Sequence, residues 1–184
     1  MNIILASASP RRQELLKKIT ENFLCIPADI EESYPQNTDI LRVPEYLALK
    51  KAEHIAKNYV DCVVIGSDTG VFADGKMLGK PKTKADAYAM LKSLSGKTHS
   101  VITGCALVKG DKKVTFSSET KVTFYELADS EIENYISTGE CDDKAGAYGI
   151  QGYGALLIKE IKGDYFNVVG LPVAELYRKL KEFE

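Results

Sequence analysis

NIILASASPRRQELLKK, at Asn2–Lys18, joins a short apolar segment to a helix start. Asn2–Ala6 is apolar and predicts a short buried strand. Ser9 is a typical helix N-cap and Pro10 suits the first helical position, so together they predict a helix over Arg11–Lys18. The chain is therefore predicted to begin with a strand–loop–helix unit.

Hydrophobic periodicity and turn residues predict the remaining elements. Strands are predicted over Phe23–Pro27, Cys62–Gly66, His99–Val108 and Val114–Leu127, with hairpin turns at Ala73–Lys76 and Lys109–Lys112 and a last hairpin of Ala155–Ile161 with Tyr165–Val169. Helices are predicted over Val43–Tyr59, Lys84–Leu94, Asp129–Ser137 and Pro172–Phe183. This mixture of βα units and long hairpins predicts one α/β domain, residues 1–184, with a mixed sheet and flanking helices.

Composition excludes several classes of protein. The 184 residues are 45% apolar and 27% charged, which is the balance of a globular chain. The net charge of −2 gives no general attraction for nucleic acid, and no window approaches the 18 apolar residues of a membrane span. The apolar start is too short for a signal peptide. We therefore expect a cytoplasmic protein without nucleic-acid or membrane partners.

Cysteine and histidine are too scattered to form a recognisable metal or catalytic set. The four cysteines, Cys25, Cys62, Cys105 and Cys141, include no C-x-x-C pair, and three of them lie in apolar runs. They are predicted to be buried free thiols. The two histidines, at positions 54 and 99, are too far apart to indicate a two-histidine metal site or a histidine-based triad.

Residues Ser7–Arg12 lie where a strand leads into a helix. Backbone N–H groups and the helix dipole attract anions at such a position, and the serine hydroxyls and the Arg11 and Arg12 guanidiniums add donors for phosphate oxygens. A capped helix with two solvated arginines is equally compatible with the pattern.

Acidic and basic residues elsewhere suggest phosphate chemistry. Asp68 follows a predicted buried strand, a place where it can bind Mg²⁺, orient a water or accept its proton, although a turn cap is the alternative. Glu31 and Glu32 can hold a metal, and Lys51 and Lys80 can neutralise a polyphosphate. Taken alone, each of these last four residues is more often solvated surface.

The segment Asp143–Gly154 is rich in glycine and contains Gln151, whose amide can read a base edge. It is not a Rossmann fingerprint, because no strand is predicted before it and no helix after it. A purely structural loop remains open.

These signals occur together in an order that resembles one family. Eight motifs follow one another along nearly the whole chain: LASASPRRQELL, IEES, ALKKA, GSDT, LGKPKT, LSGKTHSVITG, DKAGAYGIQGYGA and VVGLP. This pattern is similar to that of the Maf family of nucleoside triphosphate pyrophosphatases. The resemblance implies two lobes around a central cleft, a fold like that of the inosine-triphosphate pyrophosphatases, and a homodimer. It also implies cleavage of a nucleoside triphosphate between its α and β phosphates, with Mg²⁺ or Mn²⁺ as cofactor.

The resemblance further implies roles for individual residues. Asp68 matches the proton acceptor of the family, and Asp68 and Glu32 together match its metal ligands. The polar residues of the substrate site match Ser7, Arg11, Arg12, Lys51, Thr69, Lys80 and Gln151. Arg12, Thr69 and Gln151 match the branch that acts on dTTP and UTP. Gly70 and Cys141–Asp142 depart from the pattern, which has a larger apolar residue and Pro-Met there.

The sequence leaves one alternative function open and disfavours another. A nucleotide-binding regulator linked to cell division could hold a triphosphate without cleaving it. An RNA-binding module is disfavoured by the negative net charge and by the lack of an RRM or KH signature.

Overall fold

The computed structural model describes residues 1–183, in which six helices and seven strands are found. The strands are β1 (Ile3–Leu5), β2 (Phe23–Cys25), β3 (Val63–Ala73), β4 (Lys76–Leu78), β5 (Thr98–Lys109), β6 (Lys112–Phe124) and β7 (Ile158–Lys162). The helices are α1 (Pro10–Leu16), α2 (Val43–Ala56), α3 (Lys84–Leu94), α4 (Asp129–Ser137), α5 (Tyr165–Val169) and α6 (Val173–Leu180). Short 3-10 helices lie at Ile40–Arg42, Ala145–Ala147, Tyr153–Leu157 and Lys181–Phe183. None of the helices in residues 1–183 is long and apolar enough to cross a membrane.

All seven strands found in residues 1–183 belong to one mixed sheet. The order is β2-β1-β3-β5-β6-β7, and β4 pairs with β3. β1 runs parallel to β2 and β3. β4 runs antiparallel to β3, and β7 runs antiparallel to β6. The predicted α/β fold with a mixed sheet and flanking helices is confirmed. The described chain divides into two compact units. It passes from one unit to the other at four places: Thr69/Gly70, Ile102/Thr103, Ser118/Glu119 and Val169/Gly170. The single domain over residues 1–184 stays a prediction.

In the first unit (residues 1–69, 103–118 and 170 onward), α2 packs against the sheet through small residues. Ala48, Ala52 and Ala56 lie in a buried cluster with residues of β1, β3 and β5. A Cβ at Gly66 of β3 would lie 2.0 Å from the Ala48 carbonyl oxygen, so only glycine permits this approach. The close packing fixes the height of α2 above β3, and with it the position of Lys51.

The second unit (residues 70–102 and 119–169) has its own apolar core. Side chains of α3 and α4 pack there with those of β6, and the rings of His99, Phe124 and Tyr148 meet edge to face, with centroids 4.8 to 5.4 Å apart. The His99 Nε2 and the Tyr148 hydroxyl share a hydrogen bond of 2.8 Å. Among the described residues the buried Nδ1 of His99 has no hydrogen-bond partner, so the core of this unit contains a desolvated imidazole.

The strand that contains Asp68 is longer than the sequence indicated. The predicted strand Cys62–Gly66 ends before Asp68, whereas β3 continues to Ala73. Pairing with β1 ends at Ile65, and pairing with β4 begins at Val71. Asp68 therefore lies inside a strand, at the point where a parallel neighbour is replaced by an antiparallel one. The Asp74-Gly75 turn makes this possible, since both residues have positive φ and close the β3–β4 hairpin.

The last predicted hairpin is wrong in its second half, because Tyr165–Val169 is helix α5. The Asp164 carboxylate accepts a hydrogen bond from the Phe166 N–H, which fixes a turn there. The buried Asn167 amide donates to the Val101 carbonyl and to the Thr120 hydroxyl. β7 pairs with β6 instead. One local turn contact and two contacts with distant residues thus override the aromatic and β-branched composition of the segment.

The cysteine prediction holds only in part. Cys105 and Cys141 are buried and Cys62 is half-buried, but Cys25 is exposed. Cys25 lies on β2, the strand at the edge of the sheet, where residues are covered less than those of a central strand. All four thiols are free.

We predict that His99 makes the protein less stable in acid. Burial lowers its pKa to about 4, whereas a histidine in an unfolded chain titrates near 6.5. The unfolded chain therefore takes up a proton as the pH falls from about 6.5 to about 4, while the folded protein does not. As a result, about 3 kcal/mol of the free energy of unfolding, fully present above pH 6.5, is lost over that window.

Urea unfolding at pH 7.5 and pH 4.5 measures this loss. His99→Gln should reduce the difference between the two pH values by about 2–3 kcal/mol. His54→Gln, which changes the exposed histidine of α2, is the matched control and should leave the difference as in the wild type. An equal loss in wild type and His99→Gln would contradict the prediction.

Candidate active site

The start of α1 is built as its sequence predicts. Ser9 is the N-cap and Pro10 occupies the first helical position. The Ser9 hydroxyl accepts from the Arg12 N–H at 3.5 Å, and the Ser7 hydroxyl accepts from the Ser9 N–H at 3.2 Å. The two serines therefore fix the turn that directs Arg12. Arg11, next to it on α1, is half-buried.

The Arg12 guanidinium is held on three sides by the first unit. Its Nε donates to the Gly170 carbonyl at 2.9 Å, its Nη2 to the Thr69 hydroxyl at 3.0 Å, and its Nη1 to the Ser7 hydroxyl at 3.4 Å. Burial lowers the pKa of Arg12, and the negative charge of Asp68 acts in the opposite direction. A guanidinium keeps its proton in proteins, so a fixed positive charge lies near Asp68.

Three contributors to this arrangement were missed by the sequence reasoning. The Gly170 carbonyl accepts from the buried Ser67 hydroxyl at 3.1 Å as well as from Arg12, and the Thr69 hydroxyl shares a 2.9 Å hydrogen bond with Thr103. Gly170 lies in the VVGLP motif and Thr103 in VITG, so the motifs flagged the positions without giving them a role. A backbone carbonyl has no signature in sequence.

Asp68, Lys51 and Glu32 form the second part of the site. The Lys51 Nζ lies 2.6 Å from Asp68 Oδ1 and 2.6 Å from Glu32 Oε1. The Lys51 and Asp68 side chains are only 12% and 17% exposed, whereas that of Glu32 is 58% exposed. Burial raises the pKa of Asp68, although Lys51 and Arg12 lower it by their charge. This carboxyl therefore binds a proton more readily than a solvated one at the same position would.

Lys50, which precedes Lys51 on α2, holds the loop that contains Glu32. Its Nζ donates to the Glu31 carbonyl at 2.7 Å, to the Ser33 carbonyl at 3.2 Å and to the Ser33 hydroxyl at 3.3 Å. Two adjacent lysines thus have different tasks: one binds backbone on both sides of Glu32, and the other binds the carboxylates.

Lys80 and Gln151 belong to the second unit. Lys80 lies exposed between β4 and α3, and Gln151 lies exposed in the turn before the 3-10 helix Tyr153–Leu157. Within the first unit the structure brings together six of the predicted residues: Ser7, Arg12, Glu32, Lys51, Asp68 and Thr69. Their assigned roles stay predictions.

Both departures from the family pattern are accommodated by packing. At Gly70 an added Cβ would lie 2.8 Å from the Phe72 ring, so that ring fills the place of a larger side chain. Cys141 is fully buried in the core of the second unit, and its thiol donates to the Asp142 carboxylate at 3.4 Å. Neither departure removes a predicted site residue.

Comparison with known proteins identifies the family. The model of Maf-like proteins matches residues 2–183. The chain belongs to the Maf family. A relative from Carboxydothermus hydrogenoformans is 52% identical over 186 residues, covering 100% of this chain and 99% of the relative. A second, from Bacillus cytotoxicus, is 50% identical over 184 residues, covering 98% of this chain and 95% of the relative. Both are named dTTP/UTP pyrophosphatase.

Solved structures with low sequence identity share the fold of this Maf-family protein. The Staphylococcus aureus Ham1 protein aligns with a TM-score of 0.58 at 13% identity, covering 100% of both chains. A HAM1 protein from Coxiella burnetii aligns with a TM-score of 0.56 at 18% identity, covering 99% of both chains. The predicted fold is confirmed at this level of architecture.

We predict that Lys50→Met loosens the Glu32 loop without unfolding the protein, because it removes the donor that binds the carbonyls of Glu31 and Ser33. Hydrogen exchange measured by mass spectrometry should be faster in a peptide that covers residues 29–34. Lys57→Met replaces the exposed lysine that ends α2 and should leave that peptide unchanged. Wild-type exchange in the Lys50→Met loop would show that Lys50 does not hold it.

Proposed function

We propose that this protein hydrolyses nucleoside triphosphates, dTTP and UTP in particular, at the α–β phosphate bond to give the nucleoside monophosphate and pyrophosphate. Membership of the Maf family and the names of its relatives support this function. The structural observation that carries it is the Asp68 carboxylate, largely buried and placed beside the Lys51 ammonium and the Arg12 guanidinium.

The residues of the site divide the work between charge and proton transfer. Arg12 and Lys51 offset the negative charge of the triphosphate, and Arg11 and Lys80 add to this in the family pattern. Asp68 accepts the proton of the attacking water, a task for which a pKa raised by burial suits it. Phosphoryl chemistry depends mainly on positioning and charge neutralisation, so no nucleophilic serine or histidine is required.

Glu32 and Asp68 fit the divalent cation, Mg²⁺ or Mn²⁺, that the family resemblance implies. They are hard oxygen donors that already share one positive charge, that of Lys51. Residues 1–183 contain no group of three or more histidine, cysteine, aspartate or glutamate side chains that could hold a metal. Mg²⁺ is commonly held by one or two carboxylates together with substrate phosphates, so two suffice. Glu32 and Asp68 would hold the cation, whose charge would serve to polarise the phosphate and acidify a water.

Ser7 and Thr69 orient the Arg12 guanidinium, and Gln151 recognises the base in this proposal. Arg12 donates to both hydroxyls, so the guanidinium enters the reaction already oriented, and the ordering cost of a flexible side chain is not incurred on substrate binding. The assignment of Gln151 and of the pyrimidine preference rests on the family pattern.

The family resemblance also underlies a proposed homodimer, located in the cytoplasm. Light scattering coupled to size exclusion should give twice the chain mass of 20.3 kDa. A monomer mass at assay concentration would reject the dimer and leave the chemistry untouched.

Pyrophosphate release from UTP and dTTP with Mg²⁺ or Mn²⁺ tests the reaction, and Asp68→Asn tests the mechanism. Loss of the proton acceptor should lower kcat about 10²–10⁴-fold in a protein that remains folded by circular dichroism. Asp74→Asn is the matched control, because Asp74 lies in the turn that ends the same strand and pairs with Lys97.

The assay also separates hydrolysis from binding alone. A non-hydrolysing regulator would raise the melting temperature in the presence of UTP and release no pyrophosphate. Wild-type turnover by Asp68→Asn would remove Asp68 from the role of base while leaving the reaction itself in place.

A further inference from the structure

The segment that contains Gln151 is anchored by two side chains of the second unit. The Gly149 N–H donates to the Tyr135 hydroxyl at 3.0 Å. The Tyr153 N–H donates to Glu140 Oε2 at 2.7 Å, and the Gly154 N–H to Glu140 Oε1 at 3.1 Å. The backbone is thus anchored on both sides of Gln151, two residues before it and two and three residues after it.

The two anchors are joined to each other and to the core. The Tyr135 hydroxyl donates to Glu140 Oε1 at 3.0 Å. Tyr135 lies on α4 with its side chain in the apolar core of the unit, 4% exposed. Burial raises the pKa of Tyr135, so its hydroxyl keeps the proton that it donates.

Glu140 itself is fixed along its backbone. Its N–H donates to the Thr138 hydroxyl at 3.2 Å, and its carbonyl accepts from the Lys144 ammonium at 2.9 Å. These contacts hold the backbone from which the carboxylate projects, and the Tyr135 hydroxyl holds the carboxylate itself.

Gly152 packs directly against the Glu140 carboxylate. A Cβ at Gly152 would lie 1.9 Å from Glu140 Oε2 and 2.6 Å from its Cδ. The carboxylate occupies the space in which a side chain at position 152 would begin, so the segment Gly149–Gly154 is wrapped around it. Three hydrogen bonds to one carboxylate and this contact make Glu140 the centre of the turn.

To discriminate between pyrimidines, a glutamine must bring its amide to the base edge at a fixed distance and direction, and a fixed backbone provides the starting point for this. The side-chain amide of glutamine has a carbonyl acceptor and an NH₂ donor. In one orientation the carbonyl accepts from N3–H and the NH₂ donates to O4 of uracil or thymine. When the amide is turned by 180°, it complements cytosine instead. Glycine has more backbone freedom to lose than other residues, so a glycine-rich segment without anchors would present Gln151 in many orientations.

We propose that Glu140, supported by Tyr135, is a positioning residue for base recognition: it fixes the backbone of Gln151 so that the amide distinguishes uracil and thymine from cytosine. The inference rests on the proposed function, because it takes Gln151 as the group that reads the base. In this role Glu140 does not touch the substrate and acts only through Gln151.

The test compares kcat/KM for UTP and for CTP, measured by pyrophosphate release. Glu140→Gln keeps the size of the side chain but replaces one acceptor oxygen by a donor, which leaves one of the backbone N–H groups unpaired. The UTP/CTP ratio should fall about tenfold, the loss expected for about 1.4 kcal/mol of discrimination. Glu131→Gln is the matched control, since Glu131 also accepts a backbone N–H, from Ala128 at 2.8 Å, at the other end of α4. Its ratio should equal that of the wild type.

The ratio separates positioning from a purely structural role. Partial unfolding lowers the active fraction for both substrates and leaves the ratio unchanged, whereas loss of positioning lowers it. Gln151→Ala should lower the ratio by at least as much, and adding Glu140→Gln to Gln151→Ala should change it no further, as expected for two residues that act through one contact. Hydrogen exchange in a peptide that covers residues 149–154 should be faster in Glu140→Gln, which is a readout independent of turnover.

The outcomes distinguish this inference from the proposed function. A lowered ratio in Gln151→Ala with a wild-type ratio in Glu140→Gln would overturn the role of Glu140 while Gln151 keeps its own. An unchanged ratio in Gln151→Ala would overturn base reading by Gln151 and the inference with it, and hydrolysis of UTP would still support the proposed reaction. If Glu140→Gln does not fold, Tyr135→Phe and Gly152→Ala disturb the same anchor, and a wild-type ratio in both would reject the proposal.

Discussion

The contact on which the first unit depends is the Lys51 ammonium bound between two carboxylates, 2.6 Å from Asp68 and 2.6 Å from Glu32. Taking an ion out of water costs several kcal/mol unless an opposite charge and hydrogen bonds compensate for it. Asp68 and Lys51 are largely buried, so each makes the burial of the other tolerable. Much of the surrounding architecture serves to keep them there: α2 lies against the sheet through alanines, and Gly66 gives it room to approach.

A second charge is fixed by neutral groups instead. The Arg12 guanidinium is oriented by a backbone carbonyl and two hydroxyls. Because none of these partners carries a charge, the positive charge of Arg12 is not cancelled by them and remains available to an anion. A lysine paired with two carboxylates and an arginine oriented by neutral groups near one of them would suit the proposed reaction, in which the site receives a triphosphate and Asp68 accepts a proton.

The second unit places a carboxylate at the centre of a turn rather than in a charged cluster. Glu140 gathers one hydroxyl and two backbone N–H groups, and Tyr135 connects it to the core. Sequence reasoning singled out the glycines and Gln151 in this segment but gave no role to Tyr135 or Glu140, which lie before it. Their role depends on a chain reversal that brings residues 135–140 against residues 149–154, and no local pattern encodes that approach.

The amino-acid sequence by itself determined the fold class, most element positions, the N-cap of α1 and the family, because these depend on short-range periodicity, capping and motif order. It misplaced the end of β3, because pairing with β4 extends that strand past Asp68, and it took α5 for a strand, because a buried asparagine with distant partners decides that segment. Only the tertiary structure decided which of the charged residues meet. Lys51 and Asp68 are 17 positions apart in the chain, and Arg12 and Gly170 are 158 apart. Contacts over such separations are set by the packing of the sheet and its helices, because hydrophobic burial and not local sequence fixes the distances there.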